Sequence, residues 1–390
     1  MIKTLGIGWH VGVPSGWGTY GTNLSLQLAQ KGIEPALLFM SKRPSLTQEQ
    51  ADILVPHLTR FQTTYGPEAK TGPGAFDFPI LHALSDMLDH IPEYSRVKGK
   101  PDFGVVFFES AVIPKVNLTA AERFALIITG SSWNSEILRR HGFDRVAYCP
   151  QGIDPSLFHP GPRNGFFKDR FAIFTGGKLE YRKGQDLVVA AFKRFYERHP
   201  DALLVTAWHS PWPELAAAGL SKSPYTTAAP GLTPEGQLDV KNWLRANGIP
   251  DEAHFDPGML ANAATPPLLR ELDLAVFPNR CEGGTNLVAM ECMACGVPVV
   301  LSRNTGHLDL IQEGNCYPLE LQIPMGAVTN RPDLDGWGES SIDELVMYME
   351  KAYDDRADAR ARGDAGAAFM KSWDWSSQVD RLVGTITPLC

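Results

Sequence analysis

Glu271–Leu301, with the sequence ELDLAVFPNRCEGGTNLVAMECMACGVPVVL, carries the pattern that decides the fold. Within it, Leu274–Phe277 is a short apolar run that stops at a proline, and Glu282–Asn286 is a glycine-containing turn that can open a helix. Leu287, Met290 and Ala294 share one helical face, and Val297–Leu301 then reads as a buried strand. This order predicts one unit of strand, turn, helix and strand.

The glycine turn places a helix N-terminus at the end of a strand. Such a terminus presents unpaired backbone N–H groups and the positive end of the helix dipole, which favour an anion such as a phosphate. One turn into the helix, Glu291 offers a carboxylate that can accept hydrogen bonds from sugar hydroxyls. The segment therefore predicts a site for a phosphorylated sugar compound.

This segment closely resembles the signature region of the retaining nucleotide-sugar glycosyltransferases of family 4, the group 1 glycosyl transferases. That family shows a proline after a strand and then E-G-F-G-L-x-x-x-E-A-M-A-x-G-x-P-V. The second half of the pattern is matched by Glu291, Met293, Ala294, Gly296, Pro298 and Val299. The first half departs, because eight residues lie between Glu282 and Glu291 where the family has seven, and the family's first glutamate falls on Gly283. We expect Glu282 to serve in its place, with the loop adjusting by one residue.

The resemblance implies an α/β protein of the GT-B type, in which two Rossmann-like, doubly wound parallel-sheet domains face a cleft. Strand patterns at Thr4–Gly8, Val105–Phe108 and Leu126–Thr129 alternate with helical stretches, as such a sheet requires. We predict an acceptor-side domain over 1–160, joined by a returning C-terminal helix over 372–390, and a donor-binding domain over 165–371. The boundary is placed in the Pro- and Gly-rich segment Gln151–Gly165.

Other segments are predicted in less detail. In the second half, a strand over Phe171–Thr175 precedes a helix over Gln185–His199 and a strand over Leu203–Ala207. Residues 41–100 are rich in Pro, Gly and polar residues and are expected to form loops and short helices.

Composition bounds the class of protein. The 390 residues are 44% hydrophobic and 21% charged, which is typical of a soluble globular enzyme of two or three domains. Residues 1–160 hold 14 basic and 14 acidic residues, so the net charge of −8 belongs to the rest of the chain, and no basic patch indicates nucleic-acid binding. Six scattered cysteines indicate a reducing compartment, so a cytoplasmic location is expected.

Residues 176–184 form a second glycine loop between a strand and a helix, and it resembles the family's G-R-L-x-x-x-K-G loop. Lys178 stands where the family usually has arginine, and Lys183 is the motif lysine. By this resemblance both lysines neutralise the charge that builds on the β-phosphate of a departing nucleoside diphosphate. Arg182 is predicted to lie on the surface or between the domains.

The resemblance also implies the residues that bind the donor. Glu291 is expected to accept hydrogen bonds from the ribose hydroxyls, and the start of the signature helix is expected to present backbone N–H groups to the diphosphate. The predicted donor-binding residues are Gly16, Gly177, Gly283, Gly284, Thr285, Asn286, Leu287 and Glu291, with Lys178, Lys183 and Glu282 as catalytic residues. The glycines at 16, 18 and 21 also match a G-x-G-x-x-G dinucleotide pattern, but the expected acidic residue about 20 positions later is not evident.

On the acceptor side, the chain departs from the family, which often has a histidine near position 109. His10 and Glu109 are the candidates to contact the incoming hydroxyl, and a structural role is an equal alternative for each. No metal site is expected: Asp333-Leu-Asp335 lies in a polar segment, and Cys292-Met-Ala-Cys295 lies inside the predicted helix without a second ligand pair.

The predicted activity is retaining, metal-independent transfer of a hexose from a UDP- or GDP-sugar to a hydroxyl of a glycan or glycolipid. Peripheral contact with the inner face of a membrane is a further expectation, because the neutral first half tolerates an anionic lipid surface better than the acidic second half does. Two alternatives stay open: a non-catalytic homologue that binds a sugar nucleotide, and a sugar-nucleotide epimerase of the same fold.

Overall fold

The computed structural model describes residues 2–13, 15–42, 44–65 and 74–390. In this part of the chain, two six-stranded sheets each carry strands that pair in parallel throughout. Because parallel neighbours need crossover connections, helices or short 3-10 turns separate the strands in sequence, and helices cover the sheets.

The first sheet has the spatial order β2-β1-β3-β4-β5-β6. Its strands are β1 (Thr4–Val11), β2 (Glu34–Met40), β3 (Ile80–Ala83), β4 (Asp102–Val106), β5 (Leu126–Thr129) and β6 (Val146–Tyr148). Its helices are α1 (Gly16–Gln30), α2 (Gln48–Tyr65), α3 (Lys115–Ala121) and α4 (Ser132–Arg140). The expectation of only loops and short helices over 41–100 is wrong, since this segment holds the 18-residue α2 and the central strand β3.

The second sheet has the spatial order β9-β8-β7-β10-β11-β12. Its strands are β7 (Phe171–Lys178), β8 (Ala202–His209), β9 (His254–Phe255), β10 (Leu274–Phe277), β11 (Val299–Ser302) and β12 (Tyr317–Leu319). The helices of this half are α5 (Gln185–Tyr196), α6 (Pro213–Leu220), α7 (Val240–Ala246), α8 (Pro266–Leu269), α9 (Leu287–Ala294), α10 (Met325–Thr329), α11 (Ile342–Asp354), α12 (Arg356–Met370) and α13 (Trp375–Ile386).

Smaller elements decorate both sheets. Three two-stranded pairs join Gly74–Ala75 to Val97–Lys98, Gly231–Leu232 to Leu238–Asp239, and Gln322–Pro324 to Gly338–Ser340. Short 3-10 turns occupy Pro92–Tyr94, Tyr181–Lys183, Asp251–Ala253, Asn262–Ala264, Thr305–Asp309, Pro332–Leu334, Lys371–Trp373 and Thr387–Leu389. None of the helices in the described ranges combines the length and apolar character that crossing a bilayer requires.

Apolar residues cover both faces of the second sheet. Along β7, Phe171 and Ile173 belong to one buried cluster, while Ala172 and Phe174 belong to a second cluster on the opposite face. This two-sided burial is typical of a parallel sheet between helix layers and explains the continuous apolar strands in the sequence.

The last helix returns to the first domain. In α13, Trp375, Val379 and Leu382 are spaced along one helical face and are buried in the cluster that contains Leu5 and Ile7 of β1. The predicted crossing of the C-terminal helix is therefore confirmed. The predicted domain boundaries, by contrast, stay a prediction.

Candidate functional site

The candidate site lies where the strand order of the second sheet reverses. The chain runs outward in opposite directions from the neighbours β7 and β10, so the loops that follow them flank a crevice at the carboxyl end of the sheet. These are the loop that ends at Gly184 and the loop that follows Pro278. The backbone N–H of Arg280 donates to the carbonyl oxygen of Arg182 at 2.7 Å, which ties the two loops together.

Lys183 and Glu282 form a buried ion pair at this crevice. The Lys183 Nζ donates to Glu282 Oε1, which also accepts from the Asn279 amide. Arg182 Nη1 lies 3.4 Å from Glu282 Oε2, so both carboxylate oxygens have donors. Burial opposes ionisation of Glu282, but Lys183 and Arg182 outweigh it and hold the pKa of Glu282 at about 2. Glu282 is thus a fixed negative charge and not a proton carrier at neutral pH.

Lys183 keeps donors for a ligand. An ammonium group has three N–H donors, and Glu282 takes one of them. Burial lowers the pKa of Lys183, and the neighbouring Glu282 opposes that shift. The lysine side chain is 11% exposed, so its charge acts in a region of reduced dielectric where it interacts more strongly with an anion than in water.

Arg182 is largely enclosed at the centre of the charge network, with its side chain 13% exposed, which corrects the part of the prediction that allowed a surface position. Its Nε lies 2.8 Å from Glu180 Oε2, and its Nη2 lies 3.2 Å from Glu109 Oε1 of the first domain. Burial alone would lower the pKa of Arg182, but the three carboxylates Glu109, Glu282 and Glu180 raise it. The guanidinium therefore stays charged and links the two domains.

Lys178 lies at the rim of this network. It is the last residue of β7, so Gly176, Gly177 and Lys178 extend the strand beyond its predicted end. The Lys178 Nζ contacts Glu180 Oε1 at 2.9 Å and lies 5.1 Å from the ring centre of Trp212. Its side chain is 44% exposed, which leaves it accessible to a ligand in the cleft.

A second, buried ion cluster, centred on Arg280, packs against the glycine loop. Arg280 donates through both terminal nitrogens to Asp186 at 2.8 Å and through Nε to Glu339 at 2.9 Å. Its guanidinium also stacks on the ring of Tyr181 and donates to the Tyr181 carbonyl oxygen at 2.6 Å. These bonds fix the Tyr181–Lys183 turn and the first turn of α5, so they hold Lys183 in place.

The signature helix α9 begins beside the charge network. Asn286, at φ +63°, is its N-cap and accepts a hydrogen bond from the Ala289 N–H, while its amide contacts His307 Nε2 at 3.1 Å. Burial lowers the pKa of His307 to about 4, so the ring is neutral. The loop is tightly built: a Cβ on Gly306 would lie 1.7 Å from the carbonyl oxygen of Gly284.

Glu291 lies one turn into α9 and is buried. Its Oε1 accepts from the Asn262 amide at 2.6 Å. Burial raises the pKa of Glu291 to about 7, against the effect of that hydrogen bond. The contact brings the turn Asn262–Ala264 against the carboxylate that was predicted to bind ribose.

The first domain closes directly over this region. Gly283 packs so tightly that a Cβ there would lie 2.6 Å from the carbonyl oxygens of Phe107 and Phe108. The Ser131 hydroxyl donates to the Gly283 carbonyl oxygen at 2.7 Å. Asp86, which follows β3, hydrogen-bonds to Glu109, and burial together with Glu109 raises the pKa of Asp86 to about 7. Carboxyl groups of the first domain thus face the cations of the second.

The family model of the glycosyl transferases group 1 matches residues 162–320. This range holds both glycine loops, the charge network and α9. Residues 162–320 are a group 1 glycosyltransferase domain. The predicted resemblance is confirmed.

The curated relatives of this chain are distant and longer. The D-inositol 3-phosphate glycosyltransferase of Arthrobacter sp. (strain FB24) is 25% identical over 242 residues, which cover 60% of this chain and 48% of the relative. A GDP-mannose-dependent alpha-(1-6)-phosphatidylinositol monomannoside mannosyltransferase of Mycolicibacterium smegmatis is 25% identical over 252 residues, covering 61% of this chain and 55% of the relative. The chain therefore spans about half the length of the curated relatives it matches.

Solved structures share the whole fold. Sucrose-phosphate synthase from Thermosynechococcus elongatus has a TM-score of 0.65 at 16% identity, with 99% of both chains covered. HepE from Anabaena, in complex with UDP and glucose, has a TM-score of 0.64 at 15% identity, with both chains fully covered. At this identity the likeness concerns the fold alone, and it confirms the predicted GT-B architecture.

Most predicted site residues meet at one place. Lys183 and Glu282 are in contact, Lys178 reaches them through Glu180 and Arg182, and Glu109 joins from the first domain. Gly177 lies beside Lys183 at φ +110°, and Thr285, Asn286 and Leu287 form the start of α9.

Other predicted residues lie apart from that network. Gly16 is exposed at the start of α1, where its carbonyl oxygen lies 3.5 Å from the Gln151 amide. His10 lies within β1, not after it, and contacts Glu93 at 3.1 Å while its ring packs on Phe39 and Tyr94. It faces residues of its own domain.

The structure also shows the surroundings of the two sequence motifs from which no metal site was expected. Asp333 pairs with Arg331, and Asp335 lies 4.0 Å from Arg140. Cys292 and Cys295 are buried at α9 as free thiols. Within the described ranges, no group of three or more His, Cys, Asp or Glu side chains is arranged to hold a metal ion.

Sequence reasoning missed several supporting residues. The Arg280–Asp186–Glu339 cluster joins positions up to 153 residues apart in the chain, and no local spacing marks it. Thr305 and His307 were missed for the same reason, since they contact the Glu282 N–H and the Asn286 amide across 23 and 21 residues of chain. Asn279 lies only three residues before Glu282, but no pattern in the sequence marks its amide as a partner of that carboxylate.

Proposed function

We propose that this protein transfers a hexose from a UDP- or GDP-sugar to a hydroxyl of a glycan or glycolipid, with the anomeric configuration retained and without a metal ion. The observation that carries the proposal is the largely enclosed Lys183, paired with Glu282 in the loop that leads to α9, at the reversal of strand order. A lysine and a helix N-terminus at one crevice are the groups that a diphosphate requires.

In the proposed reaction, the bond between the anomeric carbon and the β-phosphate oxygen breaks, and the phosphate keeps the electron pair. Lys183 and Lys178, together with the helix N-terminus, neutralise the charge that develops on the diphosphate. The acceptor hydroxyl attacks the anomeric carbon from the face that the phosphate leaves, and its proton passes to a β-phosphate oxygen. Glu282, ionised and bonded to two cations, positions Lys183.

On the donor, Glu291 would accept hydrogen bonds from the ribose hydroxyls, displacing the Asn262 amide that now occupies it. A nucleotide-sugar donor is supported by one relative that is GDP-mannose-dependent and by one structural neighbour that holds UDP and glucose. Sucrose-phosphate synthase and the inositol phosphate enzymes support a hydroxyl acceptor of sugar or polyol type. A cytoplasmic location and contact with a lipid-linked acceptor belong to the same proposal.

A non-catalytic homologue is the second candidate, and one observation favours it. Each cation of the glycine loop already has a carboxylate partner: Lys178 has Glu180, Arg182 has Glu109, and Lys183 has Glu282. A diphosphate must therefore compete with carboxylates that are already in place.

The test measures nucleoside diphosphate release from a panel of UDP- and GDP-sugars, with and without glycan and polyol acceptors, and identifies the sugar product by NMR. Transfer with retained configuration is expected, and Lys183→Ala should slow it by ~10²-fold or more, comparable to removing one preorganised charge donor. Lys193→Ala, an exposed lysine at the far end of α5, is the matched control and should act like wild type. Binding of UDP or GDP without turnover would favour the non-catalytic homologue, and an epimerised nucleotide sugar would favour the epimerase.

A further inference from the structure

Glu109 of the first domain contacts the second domain through both its side chain and its backbone. Its carboxylate lies 3.2 Å from Arg182 Nη2, and its carbonyl oxygen accepts from the Trp337 indole N–H at 2.7 Å. The Cys281 thiol also contacts that carbonyl oxygen at 3.7 Å. One residue thus joins the glycine loop, the loop after β10 and the segment before the last short strand.

Arg182, the residue directly before the motif lysine, contacts three carboxylates. Its guanidinium forms ion pairs with Glu180 of its own loop, Glu282 of the loop after β10, and Glu109 across the cleft. The planar group carries five N–H donors in a fixed fork, so it can serve three carboxylates at once. The Arg182 side chain is 13% exposed and the Glu109 side chain 25%, so the inter-domain pair is poorly screened by solvent.

The same contacts connect this pair to the proposed phosphate site. Arg182 holds Glu282 Oε2, while Lys183 holds Glu282 Oε1, so a movement of Arg182 changes how the carboxylate restrains the lysine. Separation of the domains would take Glu109 from Arg182 and leave the guanidinium with two carboxylates instead of three.

We infer that Arg182 is a positioning residue that couples closure of the two domains to the presentation of Lys183, with Glu109 as its partner on the first domain. This inference rests on the proposed function of Lys183. Arg182 acts through Glu282 and does not itself need to touch the donor. Glu109 correspondingly serves as the anchor of the closed form.

The test compares Glu109→Gln, Arg182→Gln and the double variant by nucleoside diphosphate release from the best donor of the UDP- and GDP-sugar panel. Affinity for UDP and GDP is measured in parallel by calorimetry. Arg194→Gln is the matched control, because Arg194 forms an exposed ion pair with Asp343 far from the crevice. The backbone contacts of Glu109 with Trp337 and Cys281 do not depend on its charge, so the loop should keep its position in Glu109→Gln.

We expect Glu109→Gln to lower turnover by ~10-fold, about 1.4 kcal/mol in the barrier, while nucleotide affinity changes less than about twofold. The nucleotide binds the second domain, so loss of an acceptor-side anchor should affect turnover and not affinity. Arg182→Gln should lower turnover at least as much, and the double variant should be no slower than Arg182→Gln, because the two residues act as a unit.

Unchanged turnover in Glu109→Gln would overturn the inference, and so would losses that multiply in the double variant. If Arg182→Gln is insoluble, Arg182→Lys replaces it, since it keeps the charge but reaches fewer carboxylates, and the same loss of turnover is expected. If the wild-type protein neither binds UDP or GDP nor releases either, the proposed function itself is refuted. If the wild-type protein is active and Glu109→Gln has the same turnover, only the inference about Arg182 and Glu109 is refuted.

Discussion

Glu291 and Glu282 are two buried glutamates of the same βαβ unit with opposite electrostatic surroundings. Glu282 contacts two cations, whereas Glu291 accepts a hydrogen bond from a neutral amide. The pKa of Glu282 is therefore lowered to about 2 and that of Glu291 raised to about 7. The surroundings of Glu282 favour a permanent negative charge. Those of Glu291 leave a carboxyl group that can accept hydrogen bonds from hydroxyl donors.

The raised pKa of Glu291 predicts a specific pH dependence of stability. Below the ordinary value of 4.5 both the folded and the unfolded chain hold the proton, and between 4.5 and about 7 only the folded chain does. Wild type should thus lose stability relative to Glu291→Gln as pH rises through this window, by about 2 kcal/mol between pH 5 and pH 8. Denaturant unfolding of both proteins at the two pH values measures this difference.

Glu197→Gln, which changes an exposed carboxylate at the end of α5, is the control and should leave the pH dependence unchanged. A Glu291→Gln variant that tracks wild type at both pH values would show that Glu291 is already ionised at pH 5. Glu282 has the opposite sign, since its contribution to stability is present above pH 4.5 and is lost as pH falls toward 2.

At the scale of elements, the conformation of the short turn Tyr181–Lys183 depends on Gly184, the residue that follows it. This glycine has φ +69° and joins the turn to α5, and a Cβ there would lie 2.2 Å from the carbonyl oxygen of Pro278. The turn thus depends on glycine for two reasons, the left-handed backbone and the close approach of a second loop. Lys183 directly precedes Gly184, so the close approach of Gly184 to Pro278 also positions the lysine backbone.

Comparing two glycine variants separates these two reasons. Gly142 has φ +78° with nothing within 4 Å of a Cβ, so Gly142→Ala should cost about 1 kcal/mol of stability through backbone strain alone. Gly184→Ala should cost clearly more, because the Pro278 oxygen must also move, and it should slow donor turnover. Chemical unfolding and the release assay check both effects. Equal losses of stability in the two variants would contradict the close approach.

For the whole molecule, the closed arrangement of the domains depends on a backbone-to-backbone contact. Gly283 approaches the carbonyl oxygens of Phe107 and Phe108, and the Ser132 hydroxyl and N–H both donate to Asp309. Because Gly283 lacks a side chain, the loops at the carboxyl ends of the two sheets can approach each other closely. A cleft that is closed in this way excludes water from the charge network.

Gly283→Ala should therefore hold the domains apart. A Cβ at 2.6 Å from two carbonyl oxygens has no room, and separation of the domains relieves the clash without disturbing either core. We expect a larger radius of gyration by small-angle scattering and a loss of turnover of ~10-fold or more. Gly231→Ala, with nothing within 4 Å of its Cβ, is the control. A compact and fully active Gly283→Ala protein would refute this account.

Patterns within about thirty residues were enough to predict the signature unit. The strands β10 and β11 and the helix α9 follow from apolar period and from the turn residues around them, because these signals are local. Elements without such signals were missed: β3 is four residues long and lies after a polar segment, and the strand β7 continues through two glycines that predict a loop.

By itself, the sequence determined the two-domain α/β class, the two glycine loops and the identity of the residues that carry charge at them. Only the tertiary structure decided the partners of those charges, since Arg182, Glu109 and Glu282 are far apart in the chain and meet where two sheets face each other. The physical reason is that backbone conformation and apolar period are set by near neighbours. An ion pair instead depends on the distance between groups that folding alone brings together.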